Sequence, residues 1–199
     1  MNPKNNFFEL PIPTPDGQFV ARYSEKGLAE LNFPLVGRAS PRAAKKGIIP
    51  TKIRAWHRMT ETALKDILAG RKSKNLPPLD LAGTDFQKSV WNALRKISTG
   101  KTKSYGEIAR AIGRPKAVRA VGGACGANPV PILVPCHRVL AANNKLGGFS
   151  GGLDWKRSLL GREGVNRKAL IFSVGICRLF RRVFNAHFLT TLCWTICCV

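Results

Sequence analysis

Acidic side chains are scarce in this chain: 11 Asp and Glu stand against 33 Lys and Arg over 199 residues, a formal net charge of +22. So large an excess is the electrostatic footprint of a polyanion binder, nucleic acid before membrane, and it ranks a merely solvated basic surface second. Cysteine is missing up to Cys125. The six that follow form two unrelated groups, Cys125 and Cys136 mid-chain and Cys177, Cys193, Cys197 and Cys198 near the end. The opening stretch MNPKNNFFELPIP lacks the continuous apolar core of a signal peptide, which argues against a disulfide framework and for a reducing compartment. No internal repeat is present, so the length supports one good core or two small lobes.

What is there begins with two β-like runs, GQFVARYS (17–24) and GLAELNFP (27–34), which predict a small antiparallel sheet. The stretch LVGRASPRAAKKGIIPTKIRAW (35–56) mixes Pro, Gly and basic residues without periodicity and reads as a long loop. TETALKDILAG (60–70) spaces Ala63, Leu64, Ile67 and Leu68 as an amphipathic helix stopped by Gly70, and RKSKNLPPLDLAG (71–83) reads as a connection. From Thr84 the signals sharpen. Thr84 with Gln87, and Ser104 with Glu107, form two capping boxes, the first opening a helix with Phe86, Val90, Leu94 and Ile97 on one face. Ser104 opens the short helix YGEIARAIG, with Ile108 and Ile112 inward. Pro115 is expected in the first turn of a second helix, KAVRAVGGACG, with Val118 and Val121 toward the core. Two short helices with a tight turn make a helix-turn-helix. The second exposes Ala, Gly and one Arg rather than base-reading side chains, so it suits tracking of shape in the minor groove. Gly122 and Gly123 equally suit close packing against another helix. LDWKRSLLGREG (153–164) is the last helix, with Leu153, Lys156 and Leu160, and Trp155 and Leu159, at helical spacing.

The chemistry gathers in NPVPILVPCHRVL (128–140). A thiol beside cationic groups ionises more readily and attacks better. His137 and Arg138 supply that character to Cys136, while Asn128, Pro129, Pro131 and Pro135 stiffen the backbone that would hold it. A nucleophile of this type also needs a third group to orient its base. Taken singly, each residue has a blander reading: Cys136 as core, Tyr105 as a packed aromatic, Arg119 as a phosphate contact and Glu163 as a solvated helix-end charge.

Together, SYGEIARAIGRPKAVRAVGGACGA, NPVPILVPCHRVL and GGFSGGLDWKRSLLGREG resemble the O6-alkylguanine-DNA alkyltransferases, or methylated-DNA–protein-cysteine methyltransferases, strongly over residues 80–164 and weakly over 1–79. The resemblance implies an α+β fold: a small N-terminal lobe of sheet and helix (1–79), a mostly helical catalytic lobe with a winged-helix-like helix-turn-helix (80–164), and a tail beyond the family fold (165–199). It implies irreversible, single-turnover transfer of the alkyl group from O6-alkylguanine, with O4-alkylthymine as a lesser substrate, onto Cys136. His137 would activate the thiol through a bound water, and Glu163 would hold the histidine. Tyr105 would help the departing guanine take a proton, and Asn128 would lock the turn. Ser150 and the backbone carbonyls of Cys136 and Val139 would read the base. Arg119, with Ala120 and Gly122 on the same helix, would meet the DNA and fill the gap left by a flipped nucleotide. The partner is double-stranded DNA containing alkylated bases, without an obligatory protein partner and with the chain as a monomer, in a bacterial cytoplasm or a eukaryotic nucleus.

No cofactor is needed for the transfer. The N-terminal zinc site of some relatives cannot be built here, since before Cys125 there is no cysteine and one histidine, His57. Residues 165–199 depart from the family. They hold no acidic residue, and Val183 to Val199 is largely apolar and uncharged apart from His187, at the short limit for a membrane span. A non-native extension is preferred over a tail anchor or interfacial helix, and over zinc binding by His187, Cys193, Cys197 and Cys198. Two other functions compete: a lesion sensor that flips the base without accepting the alkyl group, and a thiol hydrolase.

Overall fold

The structure is a computed structural model that describes residues 7–34, 49–73 and 75–165. The expectations for residues 166–199, including membrane contact and zinc binding, lie outside the described residues, as does most of the loop expected at 35–56.

The first layer is a three-stranded antiparallel sheet of order β1–β2–β3, from β1 (Phe8–Thr14), β2 (Gly17–Tyr23) and β3 (Leu28–Asn32). The sequence pattern indicated β2 and β3 but not β1, which carries Pro11 and Pro13. As residues of the same parity on an edge strand, both prolines turn their missing N–H to the same side, which an edge tolerates. Leu10, Ile12, Phe19, Ala21, Tyr23, Leu28 and Leu31 are buried beneath the sheet.

Helix α1 spans Thr51–Leu68, and here the loop expectation needs correction, since Thr51–Trp56 are helical. Pro50 ends the preceding chain in an extended conformation (φ −56°, ψ 145°), and its carbonyl accepts from Arg54 N at 3.1 Å. The buried stripe Ile53, Thr60, Leu64 and Ile67 follows helical spacing and packs the helix on the sheet. The connection that follows does not dangle: Leu28 N donates to Pro78 O (2.8 Å) and Asp80 N to Leu28 O (2.9 Å), so it runs beside β3.

Helices α2 (Asp85–Arg95) and α3 (Tyr105–Ala111) carry complete capping boxes, Thr84 with Gln87 and Ser104 with Glu107. Helix α3 ends at Gly113 (φ +72°), with Arg114 N on Ala109 O (2.9 Å) and Gly113 N on Arg110 O (3.0 Å), the paired bonds of a Schellman motif. Pro115 is not inside the next helix. It occupies a turn closed by Ala117 N on Arg114 O (2.9 Å), and α4 runs from Val118 to Gly126. Val118 is 40 % exposed, contrary to the core position expected of it, whereas Val121 is fully buried. A Cβ on Gly122 or Gly123 would meet nothing within 4 Å, so packing against another helix does not account for these glycines. Trp91 of α2 donates its indole N–H to Ala124 O at 2.8 Å and pins α4 in place.

Downstream, the short strands β4 (Lys103–Ser104) and β5 (Val139–Leu140) pair in parallel, and α5 spans Leu153–Arg162. Leu153, its first residue, is 41 % exposed, whereas Leu159 and Leu160 are buried. The two halves of the chain share one interior. Leu31 N donates to Pro129 O at 2.9 Å, Arg162 bonds Asp16 at 2.6 and 2.7 Å and Leu68 O at 2.8 Å, and Phe33 meets Phe149 edge-on and Trp155 at a tilt. Among the described residues no helix is long and apolar enough to cross a membrane.

Candidate active site

A cavity of about 570 Å³ opens between α4 and the loop 148–150, lined by Tyr105, Val118, Arg119, Gly122, Cys125, Gly126, Cys136, Phe149 and Ser150. Of the residues singled out from the sequence, Cys136, Tyr105, Ser150, Arg119 and Gly122 therefore face one space, which explains why Val118 stays exposed. Ala120 lies on the exposed side of α4 and is not part of that lining.

Cys136 begins a single 3₁₀ turn, Cys136–Arg138, and is only 4 % exposed. The preceding run is strained: Ile132 holds φ +74°, a region that a β-branched residue rarely enters. Asn128 staples it from both sides, accepting from Val130 N at 3.1 Å and donating Nδ2 to Val134 O at 2.8 Å. The same Nδ2 reaches Cys136 Sγ at 3.1 Å. Asn128 thus does more than lock the turn, for it touches the sulfur. Burial pushes the Cys136 thiol up, while the Asn128 bond and the charge of Lys156 pull it back.

His137 is fully buried, with Nε2 2.9 Å from Glu163 Oε1. Glu163 also accepts from Arg138 Nε (3.1 and 3.0 Å), Arg138 Nη2 (2.8 Å) and Gly100 N (3.2 Å). Burial raises the Glu163 carboxyl, but these donors and their charge outweigh it and hold it at about 2. An ionised carboxylate only accepts. His137 Nε2 therefore carries the hydrogen and Nδ1 keeps its lone pair. Burial lowers the His137 pKa more than Glu163 raises it, so the ring is neutral at pH 7. Nδ1 is buried and has no hydrogen-bond partner among the described residues, the signature of a base waiting for a proton.

Tyr105 opens α3, and burial, then the nearby Cys125 and Cys136, raise its hydroxyl to about 12, so it remains a proton donor. A Cβ on Gly147 (φ +66°) would stand 3.1 Å from Tyr105 Oη, so only glycine allows the loop this approach. Val139 O, expected to read the base, already accepts Lys156 Nζ at 2.6 Å, leaving one lone pair for a ligand.

Two residues of the site act in ways the sequence did not indicate: Arg138, expected beside the sulfur, holds Glu163 instead, and Lys156 was expected only at helical spacing. Arg138 is buried and fixes Glu163 while bonding Ile97 O at 2.6 Å. Lys156 is fully buried on α5 and donates to Val139 O, Leu146 O and Gly148 O. The signal was present in both cases: Lys156 shares the apolar stripe of Leu160, and Arg138 interrupts an apolar run. Among the described residues no group of three or more His, Cys, Asp or Glu is placed to hold a metal.

Comparison with known proteins places this geometry. Residues 85–165 match the family model described as 6-O-methylguanine DNA methyltransferase, DNA binding domain. A methylated-DNA–protein-cysteine methyltransferase of Methanosarcina acetivorans is 43 % identical over 160 residues, covering 79 % of this chain and 96 % of the relative. The crystal structure of Mycobacterium tuberculosis O6-methylguanine methyltransferase is similar with a TM-score of 0.60 at 37 % identity, covering 79 % of this chain and 92 % of that one. A structure of the M. tuberculosis OGT in complex with DNA has a TM-score of 0.58 at 37 % identity, covering 80 % and 92 %.

Proposed function

The chain belongs to the methylated-DNA–protein-cysteine methyltransferases, and on that premise we propose how its own residues carry the reaction. It repairs DNA by moving the alkyl group of O6-alkylguanine irreversibly to a cysteine of its own. Cys136 is the acceptor. The observation that carries this reading is its sulfur, set at the cavity wall against Asn128 Nδ2 and followed at once by a buried imidazole with a vacant lone pair.

His137 Nδ1 takes the thiol proton through a water, while Glu163, fixed by Arg138, keeps the other ring nitrogen protonated. The thiolate attacks the alkyl carbon in line with the C–O6 bond. A C–S bond forms, the C–O6 bond breaks, and its electron pair passes into the purine. Tyr105 gives the departing guanine a proton and is reprotonated from water as His137 releases the thiol's proton, so the proton lost by sulfur is balanced by the one gained at the base. The thioether has no good leaving group, and each molecule acts once.

The lesion is buried in a duplex, so the nucleotide must be extruded into the cavity. Arg119 fills the gap, with Ala120 and Gly122 giving α4 a slim face toward DNA, and Ser150 and the carbonyls of Cys136 and Val139 hold the base. Residues 80–164 perform this chemistry, and the described part of residues 1–79 buttresses it. The substrate is double-stranded DNA bearing O6-alkylguanine, with O4-alkylthymine lesser. The protein works as a monomer in a reducing compartment, a bacterial cytoplasm or a nucleus, and no protein partner or cofactor enters the transfer.

The test is a duplex carrying radiolabelled O6-methylguanine. One label per protein molecule, reached in a single burst, supports the proposal. Tight binding with no label on the protein makes it a lesion sensor instead, and continuing turnover rules out a suicide acceptor.

A further inference from the structure

Arg162 stands next to Glu163 in the chain and does not line the cavity. While Glu163 is turned to His137 and Arg138, the Arg162 guanidinium crosses to the N-terminal lobe. Its Nη1 and Nη2 meet the two carboxylate oxygens of Asp16, in the turn between β1 and β2, at 2.7 and 2.6 Å, the parallel fork that suits a guanidinium best. Nη1 also donates to Leu68 O at 2.8 Å. Leu68 is the last residue of α1, where carbonyls lack partners within the helix and a cation is favourable. One side chain thus ties the end of α5 to two separate elements of the N-terminal lobe.

The backbone is gripped at the same place. Gly70, just past α1, holds φ +73°, and a side chain on it would run into Arg162 O. Gly100 holds φ +74°, a Cβ on it would stand 3.0 Å from Glu163 O, and its N–H donates to Glu163 Oε2 at 3.2 Å. Residues 162 and 163 are therefore each met by a glycine, one from either lobe. Arg162 is the last residue of α5 and Glu163 its cap, and helix ends fray. The carboxylate that must keep a hydrogen on His137 Nε2 thus sits on the least constrained turn of its own helix, and the constraint comes from outside it.

Bulk stability is a poor account of the Arg162 pair. The Arg162 and Asp16 side chains are 31 % and 24 % exposed, and ion pairs open to solvent contribute little to folding. Their bond holds the Asp16 carboxyl below its usual range and pushes the Arg162 guanidinium up, so both stay charged at neutral pH.

We propose that Arg162 is a positioning residue for the transfer: by clasping Asp16 and the end of α1, it makes the N-terminal lobe hold Glu163 against His137. The inference rests on Cys136 being the acceptor and on the His137–Glu163 pair activating it. Without the clasp the last turn of α5 loosens, Glu163 spends part of its time away from Nε2, and the imidazole is free to place its hydrogen on Nδ1. The N-terminal lobe then acts on the chemistry without touching the substrate.

The experiment uses the full chain as wild type, Asp16→Asn, Arg162→Met, Arg162→Lys, Glu163→Gln and the Arg162→Met/Glu163→Gln double variant, with folding checked by near-ultraviolet circular dichroism. The substrate is free O6-benzylguanine, so that a changed surface charge has no DNA to act on. The maximal single-turnover rate and the half-saturating concentration are measured separately. Arg162→Met and Asp16→Asn lower the rate about three- to thirtyfold, the range of coupling carried through such networks, and leave the half-saturating concentration unchanged. Arg162→Lys, which keeps the charge and one bond to Asp16, recovers part of the rate. In the Glu163→Gln background Arg162→Met slows nothing further, because the group it positions is gone.

Folded Arg162→Met and Asp16→Asn proteins with the wild-type rate overturn the proposal, whatever their urea midpoints. So does an equal slowing by Arg162→Met with and without Glu163, since the loss then runs by another route. Asp16→Asn keeps the bond to Leu68 O, and it decides the matter alone should the other variants not fold. Failure of the underlying acceptor reading is distinct: the wild type itself then carries no benzyl group on Cys136.

Discussion

Replacing Glu163 by Gln changes one atom and tests the whole buried network. The carboxylate receives His137 Nε2 and Arg138 Nη2 at Oε1, and Gly100 N and Arg138 Nε at Oε2. A glutamine amide in either orientation sets an NH₂ against donors. With nitrogen at the Oε1 position it opposes Arg138 and forces the His137 hydrogen onto Nδ1, where a lone pair is needed. With nitrogen at Oε2 it opposes Gly100 N and Arg138 Nε. Either way Arg138 keeps its charge in the interior without a counter-ion, a loss of about 3–5 kcal/mol for a broken buried pair. The transfer rate falls by about 10²–10⁴, as expected when an imidazole loses its orienting acid. Urea unfolding reads the first quantity, and quenched-flow transfer from an O6-methylguanine duplex reads the second. A second signature is pH. Glu163 is held at about 2 from an ordinary 4.5, so its contribution to stability is present above 4.5 and lost as pH falls through 2, on the order of 3 kcal/mol in all. Glu163→Gln removes that acid dependence. A variant with the wild-type urea midpoint and a rate within about twofold of wild type would refute the reasoning.

Asn128→Ala deletes the contact to Cys136 Sγ and both staples of the strained turn, so it costs about 2–4 kcal/mol in urea unfolding and slows Cys136 carbamidomethylation at pH 7. Unchanged thiol reactivity in a folded Asn128→Ala protein counts against the sulfur contact. Arg119→Ala leaves the cavity chemistry in place and slows repair of duplex lesions by about tenfold or more relative to free O6-benzylguanine. Equal losses on both substrates remove the gap-filling role.

The parts of the fold legible in the sequence are those fixed by neighbours in the chain. The capping boxes at Thr84 and Ser104 need only residues three apart, and both are formed. The parts misread were decided by distant contacts. β1 is a strand despite Pro11 and Pro13 because it lies at an edge, and Thr51–Trp56 are helical because Ile53 has a sheet to bury against. Val118 has the periodicity of a core residue, but the space beside it is the cavity. For the site, the resemblance put Glu163 with His137 beside Cys136, and the structure has His137 and Glu163 at 2.9 Å. The parts Arg138 and Lys156 play were not legible, because the partner of a charged side chain is unknown until the fold is. Those partners are Glu163, 25 positions away, and backbone carbonyls that no side-chain pattern encodes.

The most direct test is peptide mass mapping after reaction with a duplex containing O6-methylguanine. The account predicts that the peptide bearing Cys136 becomes heavier by one methyl group as the lesion disappears in equal amount, and that Cys136→Ala binds the duplex but clears nothing. Lesion loss in the Cys136→Ala protein, or the methyl group found on Cys125, would contradict it.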